Sequence, residues 1–200
     1  MSTFINGIKH FYRITKHKYY VFYYCRKFGL IWQGLTHDMS KYSPTEFLES
    51  VKYYDNSKSP IVVCKEHNGY SNAWFHHKGR NKHHYEYWID SVDNGGIPVK
   101  MPLCYAIELV CDYLGAGRTY NNNGRSFTYA QEYDWWIHHK LPTHPAMHPH
   151  TMEFVTVMLN ALTRFSDKQV LTYEYAKFAY KNAHKLCESQ KLLNGVYDYE

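Results

Sequence analysis

Apolar residues recur with a helical period over the first part of the chain. They stand at spacings of four and three while lysines and arginines occupy the opposite side, which predicts a helix from Phe4 to Phe28 that ends at Gly29. The positions on the apolar side are His10, Ile14, His17, Val21, Tyr24 and Phe28. The side chain of His17 is therefore expected to face the protein interior.

A polar turn and a helix start come next. Ser43 is placed to cap a helix and Glu46 to close a capping box, so a second helix is predicted to about Tyr54. Residues 55–72 are rich in Asn, Ser, Lys and Gly. They are predicted to form a loop, because the apolar run within them is too short to be assigned to a strand.

A helix predicted from about 102 to 116 is apolar on nearly every side. Its only charged residues between 103 and 114 are Glu108 and Asp112. A helix of this kind lies in the middle of a domain. Asp112 is therefore expected to be a buried carboxylate that needs a partner, because an unpaired charge in the interior is costly.

The remaining pattern is also helical, so the predicted class is all-α with about seven helices. The further helical spans are 85–92, 129–139, 151–165 and 169–192, and a loop is predicted over 141–150. The 200 residues are expected to form a single domain. In this prediction, a core of about 10–118 carries the chemistry, and helices within 128–192 pack on it.

The composition is that of a folded protein. Hydrophobic residues make up 44% of the chain and charged residues 20%, which is too much buriable surface for a disordered chain. No apolar stretch reaches about 18 residues and the first residues do not have the pattern of a signal peptide, so we expect no membrane span and a cytoplasmic location. The five cysteines include no C-x-x-C pair, which argues against a disulfide framework and a structural zinc clip.

Charge and histidine content narrow the choice of ligand. A net charge of +5 is compatible with an anionic ligand and does not require nucleic acid. The 14 histidines are unusually many for this length, and they are clustered. Those between 138 and 150 lack regular ligand spacing and are expected at the surface. The pattern leaves the oligomeric state open.

The other histidines fall into an ordered series with carboxylates. The series comprises His17, the pair His37-Asp38, the doublets at 76/77 and 83/84, and Asp112. Imidazoles together with carboxylates hold divalent first-row metals, whereas carboxylates alone would favour magnesium. Adjacent residues on a helix point about 100° apart, so His37 and Asp38 can share one ion only near a terminus or kink. The polar turn provides such a place.

This series resembles the HD-domain superfamily of metal-dependent phosphohydrolases, whose pattern is an early His, then His-Asp, then further His, then a distant Asp on a helix. The resemblance covers roughly residues 10–118. It implies an all-α fold in which one metal is bound by His17, His37, Asp38 and Asp112. In the dinuclear branch further histidines bind a second metal, and the matching residues here are His77, His83 and His84. Among the four histidines of the two doublets, His77 and His84 match the pattern for the second metal best, and His76 matches it least.

The resemblance implies a metal-dependent phosphoric ester hydrolase. One or two divalent ions of Fe, Mn, Ni, Co or Zn would activate a water that attacks phosphorus, with Asp38 as the bridging carboxylate. Lys41, Arg80 and Arg118 are candidates to bind the phosphate of the substrate. That substrate would be a small phosphomonoester or phosphodiester, with a nucleotide as one candidate. The glycyl-tyrosyl-proline signature of members that degrade cyclic dinucleotides is absent.

Two other functions remain open at this stage. The HD fold also hosts di-iron oxygenases with the same ligand types. A non-catalytic module could bind phosphate or nucleic acid through a basic, histidine-rich surface. Single residues also have ordinary interpretations: His17 as a core histidine, the block 76–84 as a solvated basic loop, and Asp112 as the partner of an arginine.

Overall fold

The computed structural model describes residues 3–90, 95–121, 126–143 and 146–193. These parts of the chain contain eleven α-helices and one hairpin of two short antiparallel strands, so the predicted all-α class is confirmed. The first helices are α1 (Thr3–Lys27), α2 (Ile31–Thr36), α3 (Pro44–Lys52), α4 (Pro60–Asn68), α5 (Asn72–Lys78) and α6 (Leu103–Tyr120). The later ones are α7 (Tyr129–Trp135), α8 (Pro149–Arg164), α9 (Asp167–Val170), α10 (Tyr173–Lys181) and α11 (Ala183–Leu193). The strands are β1 (Ile89–Asp90) and β2 (Ile97–Pro98).

The core is built around α6. This helix packs along α1 and also contacts α7 and α8, and α8 in turn supports the C-terminal helices α10 and α11. Leu109 and Leu114 of α6 are buried in one cluster with Val21 of α1 and Met158 of α8. The buried face of α1 contains His10, Ile14, His17, Val21, Tyr24 and Cys25, which confirms the face predicted from the period. None of the helices in the described part of the chain is both long and apolar enough to cross a bilayer.

A glycine sets the distance between α1 and α6. A Cβ added at Gly115 would lie 2.6 Å from Val21 Cγ2 and 3.2 Å from the Val21 backbone nitrogen. His17 precedes Val21 by one helical turn, and Asp112 precedes Gly115 by about one turn. The close approach of the two backbones at Gly115 keeps α1 and α6 near enough for the side chains of His17 and Asp112 to meet, 2.9 Å apart.

We expect Gly115→Ala to lower the free energy of unfolding by about 1–3 kcal/mol, because the added methyl overpacks the contact with Val21. It should also weaken metal binding by separating His17 from Asp112. Gly7 in α1 is the control glycine, since it is also helical and no atom lies within 4 Å of a Cβ at that position. Chemical denaturation and elemental analysis of Gly115→Ala and Gly7→Ala test this, and equal stability of the two variants would contradict it.

The region between α3 and α6 differs from prediction. Residues 55–72 are not one loop, because α4 occupies Pro60–Asn68, with a proline in its first turn and Gly69 (φ 78°) after its end. The prediction of a helix over residues 85–92 is also wrong. Tyr85–Trp88 form one 3₁₀ turn, β1 follows directly, and the end of the predicted span lies outside the described residues.

The C-terminal prediction is wrong in a similar way. The span 169–192 is not one helix, because α9, α10 and α11 divide it, and α9 and α10 begin at separate polar caps. Ser166 forms a capping box with Gln169, and the Thr172 side chain accepts from the Tyr175 backbone N–H. The short helices α2 and α5 were also not predicted. Together these differences raise the count from about seven helices to eleven in the described parts.

Candidate metal centre

The turn between α2 and the next helical turn has an unusual backbone. His37 is extended (φ −50°, ψ 128°), and Asp38 is left-handed (φ 55°, ψ 23°) before a 3₁₀ turn over Met39–Tyr42. Asp38 is the only non-glycine residue with positive φ in the described part of the chain. Such a conformation costs about 1–3 kcal/mol and concentrates at functional sites. It allows two adjacent side chains to converge on one point, as the sequence required.

Four ligand-type atoms form a first cluster, which we call cluster A. They are His17 Nε2, His37 Nε2, Asp38 Oδ2 and Asp112 Oδ1. Asp112 Oδ1 lies 2.9 Å from His17 Nε2 and 3.6 Å from His37 Nε2. Asp38 Oδ2 lies 3.6 Å and 3.3 Å from the same two nitrogens. Helices α1 and α6 and the turn after α2 thus meet at one point.

A second cluster, cluster B, lies on the other side of Asp38. It consists of Asp38, His77, His83 and His84. Asp38 Oδ1 is 3.2 Å from His77 Nε2 and 3.4 Å from His83 Nε2, and the Nε2 atoms of His77 and His84 are 2.8 Å apart. The sequence could not decide between these histidines, and the structure brings all three together.

These separations, from 2.8 to 3.6 Å, bracket those between the ligands of one bound cation. Nitrogen and oxygen ligands about 2.1 Å from one ion lie about 3.0–3.5 Å from each other. Nε2 of His83 is buried without a hydrogen bond, and the two buried oxygens of Asp38 have only ion-pair contacts, of which Lys41 Nζ to Oδ2 is the shortest at 2.5 Å. Buried polar atoms without partners are rare in folded proteins. The donor set and these atoms fit divalent metal, with Asp38 offering one oxygen to each cluster.

Two glutamates orient the imidazoles from behind. Glu108 Oε1 accepts from Nδ1 of His37 at 3.0 Å and lies 3.1 Å from Nδ1 of His83. Glu46 accepts from Nδ1 of His76 and His77 at 2.6 and 2.8 Å. An Nδ1–H held by a carboxylate directs the Nε2 lone pair toward the centre.

Neither glutamate was assigned this role from the sequence. Ser43 caps α3 as predicted, but the side chain of Glu46 bonds histidines of α5. Glu108 stands one helical turn before Asp112, so the two carboxylates share a face of α6. That spacing was the available signal.

Burial and neighbouring charges shift the pKa values of several residues in the two clusters. Burial alone would raise the pKa of Asp38, but His37, Lys41 and His77 hold it well below its usual range. Burial would lower the pKa of His37, yet Asp38, Asp112 and Glu108 raise it. The pKa of His84 is lowered by burial and by its histidine neighbours. The carboxylates therefore stay ionised, as metal ligands must be.

A cavity of about 490 Å³ opens above the clusters. Its wall includes His17, His77, His84 and Asp112 of the clusters themselves. Other charged side chains on the wall are Arg13, Lys41, Lys65, Lys140, Glu46 and Glu86, and the aromatic ones include Trp74, Tyr85, Tyr113, Tyr120 and Trp135. The cavity thus combines several cations with a large apolar and aromatic surface.

The three candidate phosphate-binding residues have different positions. Lys41 lies on the cavity wall beside Asp38. Arg118 does not line the cavity, because its Nε donates to the Tyr24 hydroxyl at 2.6 Å. Arg80 also lies off the wall, where Nη1 donates to the His76 carbonyl at 3.4 Å. Lys65 and Lys140, which sequence reasoning did not single out, line the cavity instead.

The remaining histidines belong to neither cluster. His76 is held by Glu46, as described above. Of the later histidines, 138 and 139 are exposed, His148 caps α8, and His150 lies 2.8 Å from the Tyr180 carbonyl. His144 lies outside the described residues. His138 and His139 thus lie at the surface as expected, whereas His148 and His150 are half-buried.

Comparison with known proteins identifies a family without assigning a function. The curated proteins and the solved structures give no match. Residues 6–161 match a family described as "Family of unknown function (DUF5662)", and this segment contains every residue of clusters A and B. Because the match covers more than half of the chain, the protein belongs to the DUF5662 family.

Proposed function

We propose that this protein is a metal-dependent hydrolase of small phosphate esters. The observation that carries the proposal is Asp38, a buried carboxylate shared by two histidine-rich clusters at the base of a cavity with cationic walls. The same residues carry the resemblance to the HD-domain phosphohydrolases. Shared carboxylates of this kind occur in two-metal hydrolytic sites.

The two clusters would hold one divalent ion each. Cluster A offers two imidazoles and two carboxylates, and cluster B offers three imidazoles and the second oxygen of Asp38. A donor set this rich in imidazole favours Mn, Fe, Co, Ni or Zn over Mg. Bound ions would supply acidified water and offset the negative charge of a phosphoryl group.

The chain itself positions the ester. Lys41 stands on the cavity wall, and Asp38 and Asp112 outweigh the effect of its burial and raise the pKa of its amine above the usual range. It therefore remains charged and can donate to a phosphate oxygen beside the clusters. Lys65 and Lys140 carry further positive charge on the same wall.

The aromatic part of the wall would receive the leaving group. Trp74 contacts His84 of cluster B edge-on, with ring centroids 5.1 Å apart, so the aromatic wall begins next to the clusters. Tyr113, which follows Asp112, also lines the cavity. A volume of about 490 Å³ suits a small organic ester, for which a nucleotide is one class to test.

The proposal is tested by turnover with protein made without a histidine tag and loaded with Mn, Fe, Co or Ni. Nucleoside monophosphates, sugar phosphates, cyclic nucleotides and aryl phosphates form the panel, under air and under nitrogen. We expect metal-dependent phosphate release that is equal in both atmospheres and that places oxygen from labelled water on the product.

Other outcomes assign other functions. Consumption of dioxygen without phosphate release would identify an oxygenase and overturn the hydrolase. Ligand binding that weakens steeply with salt, without turnover in fully metallated protein, would identify a binding module. Asp38→Ala is the negative control for turnover.

A further inference from the structure

A second histidine of α1, besides His17, lines the cavity. His10 precedes His17 by seven residues, so both lie on one face of the helix, about 10 Å apart along its axis. The side chain is 5% exposed, and its ring packs against Phe47 and Tyr54 of the α3 region at centroid distances of 5.3 and 6.2 Å. His10 is therefore a closely packed part of the cavity wall, about two helical turns from His17 of cluster A.

The imidazole of His10 has an unmet hydrogen-bonding requirement. Its Nδ1 is buried and has no hydrogen-bond partner among the described residues. Buried polar atoms are nearly always paired, with protein, water or a ligand. The ring of His10 lines the cavity while Nδ1 itself has almost no exposed surface, so a molecule held there supplies the missing partner when the ring turns this nitrogen toward it.

The surroundings determine which chemical group suits this imidazole. Burial, followed by the nearby charges of Lys41 and Arg13, lowers the pKa of His10 to about 4. A neutral imidazole donates from one nitrogen and accepts at the other. A hydroxyl group, which also donates and accepts, fits it better than a phosphate oxygen, which Lys41 and the clusters already attract.

On the basis of the hydrolase proposed above, we propose that His10 is a specificity-determining residue that hydrogen-bonds a hydroxyl group on the leaving group of the ester. The substrate is then the phosphate ester of a polyhydroxylated alcohol, such as a sugar. The phosphate lies over the clusters and the sugar extends along α1 toward His10.

The test measures binding to the metal-loaded full chain by calorimetry. The probes are ribose 5-phosphate and glucose 6-phosphate, compared with phenyl phosphate and inorganic phosphate. We expect His10→Leu to raise the Kd of the two sugar phosphates about fivefold to tenfold, as for the loss of one hydrogen bond, and to leave the other two unchanged. His10→Gln, which can still donate and accept, should lose less. The exposed His67 provides the control variant His67→Leu.

Several results would overturn the role of His10. One is sugar-phosphate binding by His10→Leu at the wild-type Kd, as expected of a packing residue. Another is an equal loss for inorganic phosphate, which would place the effect at the metal clusters. A wild-type protein that binds neither sugar phosphate would also overturn it. Melting temperature and metal content verify each variant, and His10→Gln carries the test if His10→Leu does not fold.

A failure of the proposed role of His10 is distinguishable from a failure of the proposed hydrolase activity, because binding is measured without turnover. Discrimination through His10 with no phosphate release would reject the hydrolase and retain His10 as a binding residue. Hydrolysis of phenyl phosphate, together with unchanged sugar-phosphate binding in His10→Leu, would support the hydrolase and reject the role of His10.

Discussion

Asp38→Ala is expected to remove metal from both clusters at once. Asp38 provides one oxygen to each cluster and is 2% exposed, so water cannot readily replace it. A metal that binds only the folded state adds about 2.7 kcal/mol at a hundredfold excess over its Kd. The variant should therefore melt like the metal-free protein and should not respond to added Mn or Zn. Elemental analysis and thermal melting with and without metal measure both effects.

Two further variants make this result specific. Asp38→Asn keeps a residue that tolerates the left-handed backbone, so it separates loss of the carboxylate from loss of the turn. His17→Ala removes a ligand from cluster A alone and should leave about one ion per chain. Unchanged metal content in both Asp38 variants would exclude Asp38 from the site, and metal-free wild-type protein would exclude the proposed hydrolase.

Lys41→Met is expected to lower kcat/KM for phosphate ester hydrolysis about a hundredfold while metal content stays the same. The reason is that Lys41 is the cation nearest to the shared carboxylate, and loss of a single donor to a developing anion costs about 10²–10³ in rate. Steady-state kinetics and elemental analysis on the same preparations test it.

The controls distinguish charge from position. Lys41→Arg keeps the charge in a different shape and should recover part of the rate. Lys82 is exposed and lies off the cavity wall, so Lys82→Met should behave like the wild type. A fall in metal content in Lys41→Met would show that Lys41 supports the metal clusters and does not act on substrate.

Helices with a continuous apolar face were predictable from the sequence. The buried face of α1 and the buried helix α6 follow from periodicity, because a helix must bury its apolar side. Helix α4 was missed because its apolar run is short and lies in a segment rich in polar residues. The C-terminal helices were merged because their capping signals lie inside an apolar pattern. In both regions, tertiary contacts override the local sequence preferences that the prediction used.

The residue types and order of the candidate site were also determined by the sequence. Seven residues with metal-ligand chemistry were predicted together, and the structure brings all seven into two adjoining clusters. Side-chain chemistry and helix faces made this possible, since His17 lies on the buried face of α1 and Asp112 on the largely buried helix α6, where its partly exposed side chain lines the cavity. The cationic wall was not predictable, because Lys65 and Lys140 come from helical segments whose packing the pattern does not specify.

The tertiary structure decided how these residues are shared. The left-handed backbone at Asp38 turns its two oxygens toward different clusters, and the contact of Gly115 with Val21 sets the distance from His17 to Asp112. Glu46 and Glu108 acquire their roles only when distant histidines are packed against them. Sequence by itself determined the fold class and the chemistry of the ligands, because both follow from residue type and period. Only packing could determine distance and shared coordination, because these depend on backbones that approach from separate parts of the chain.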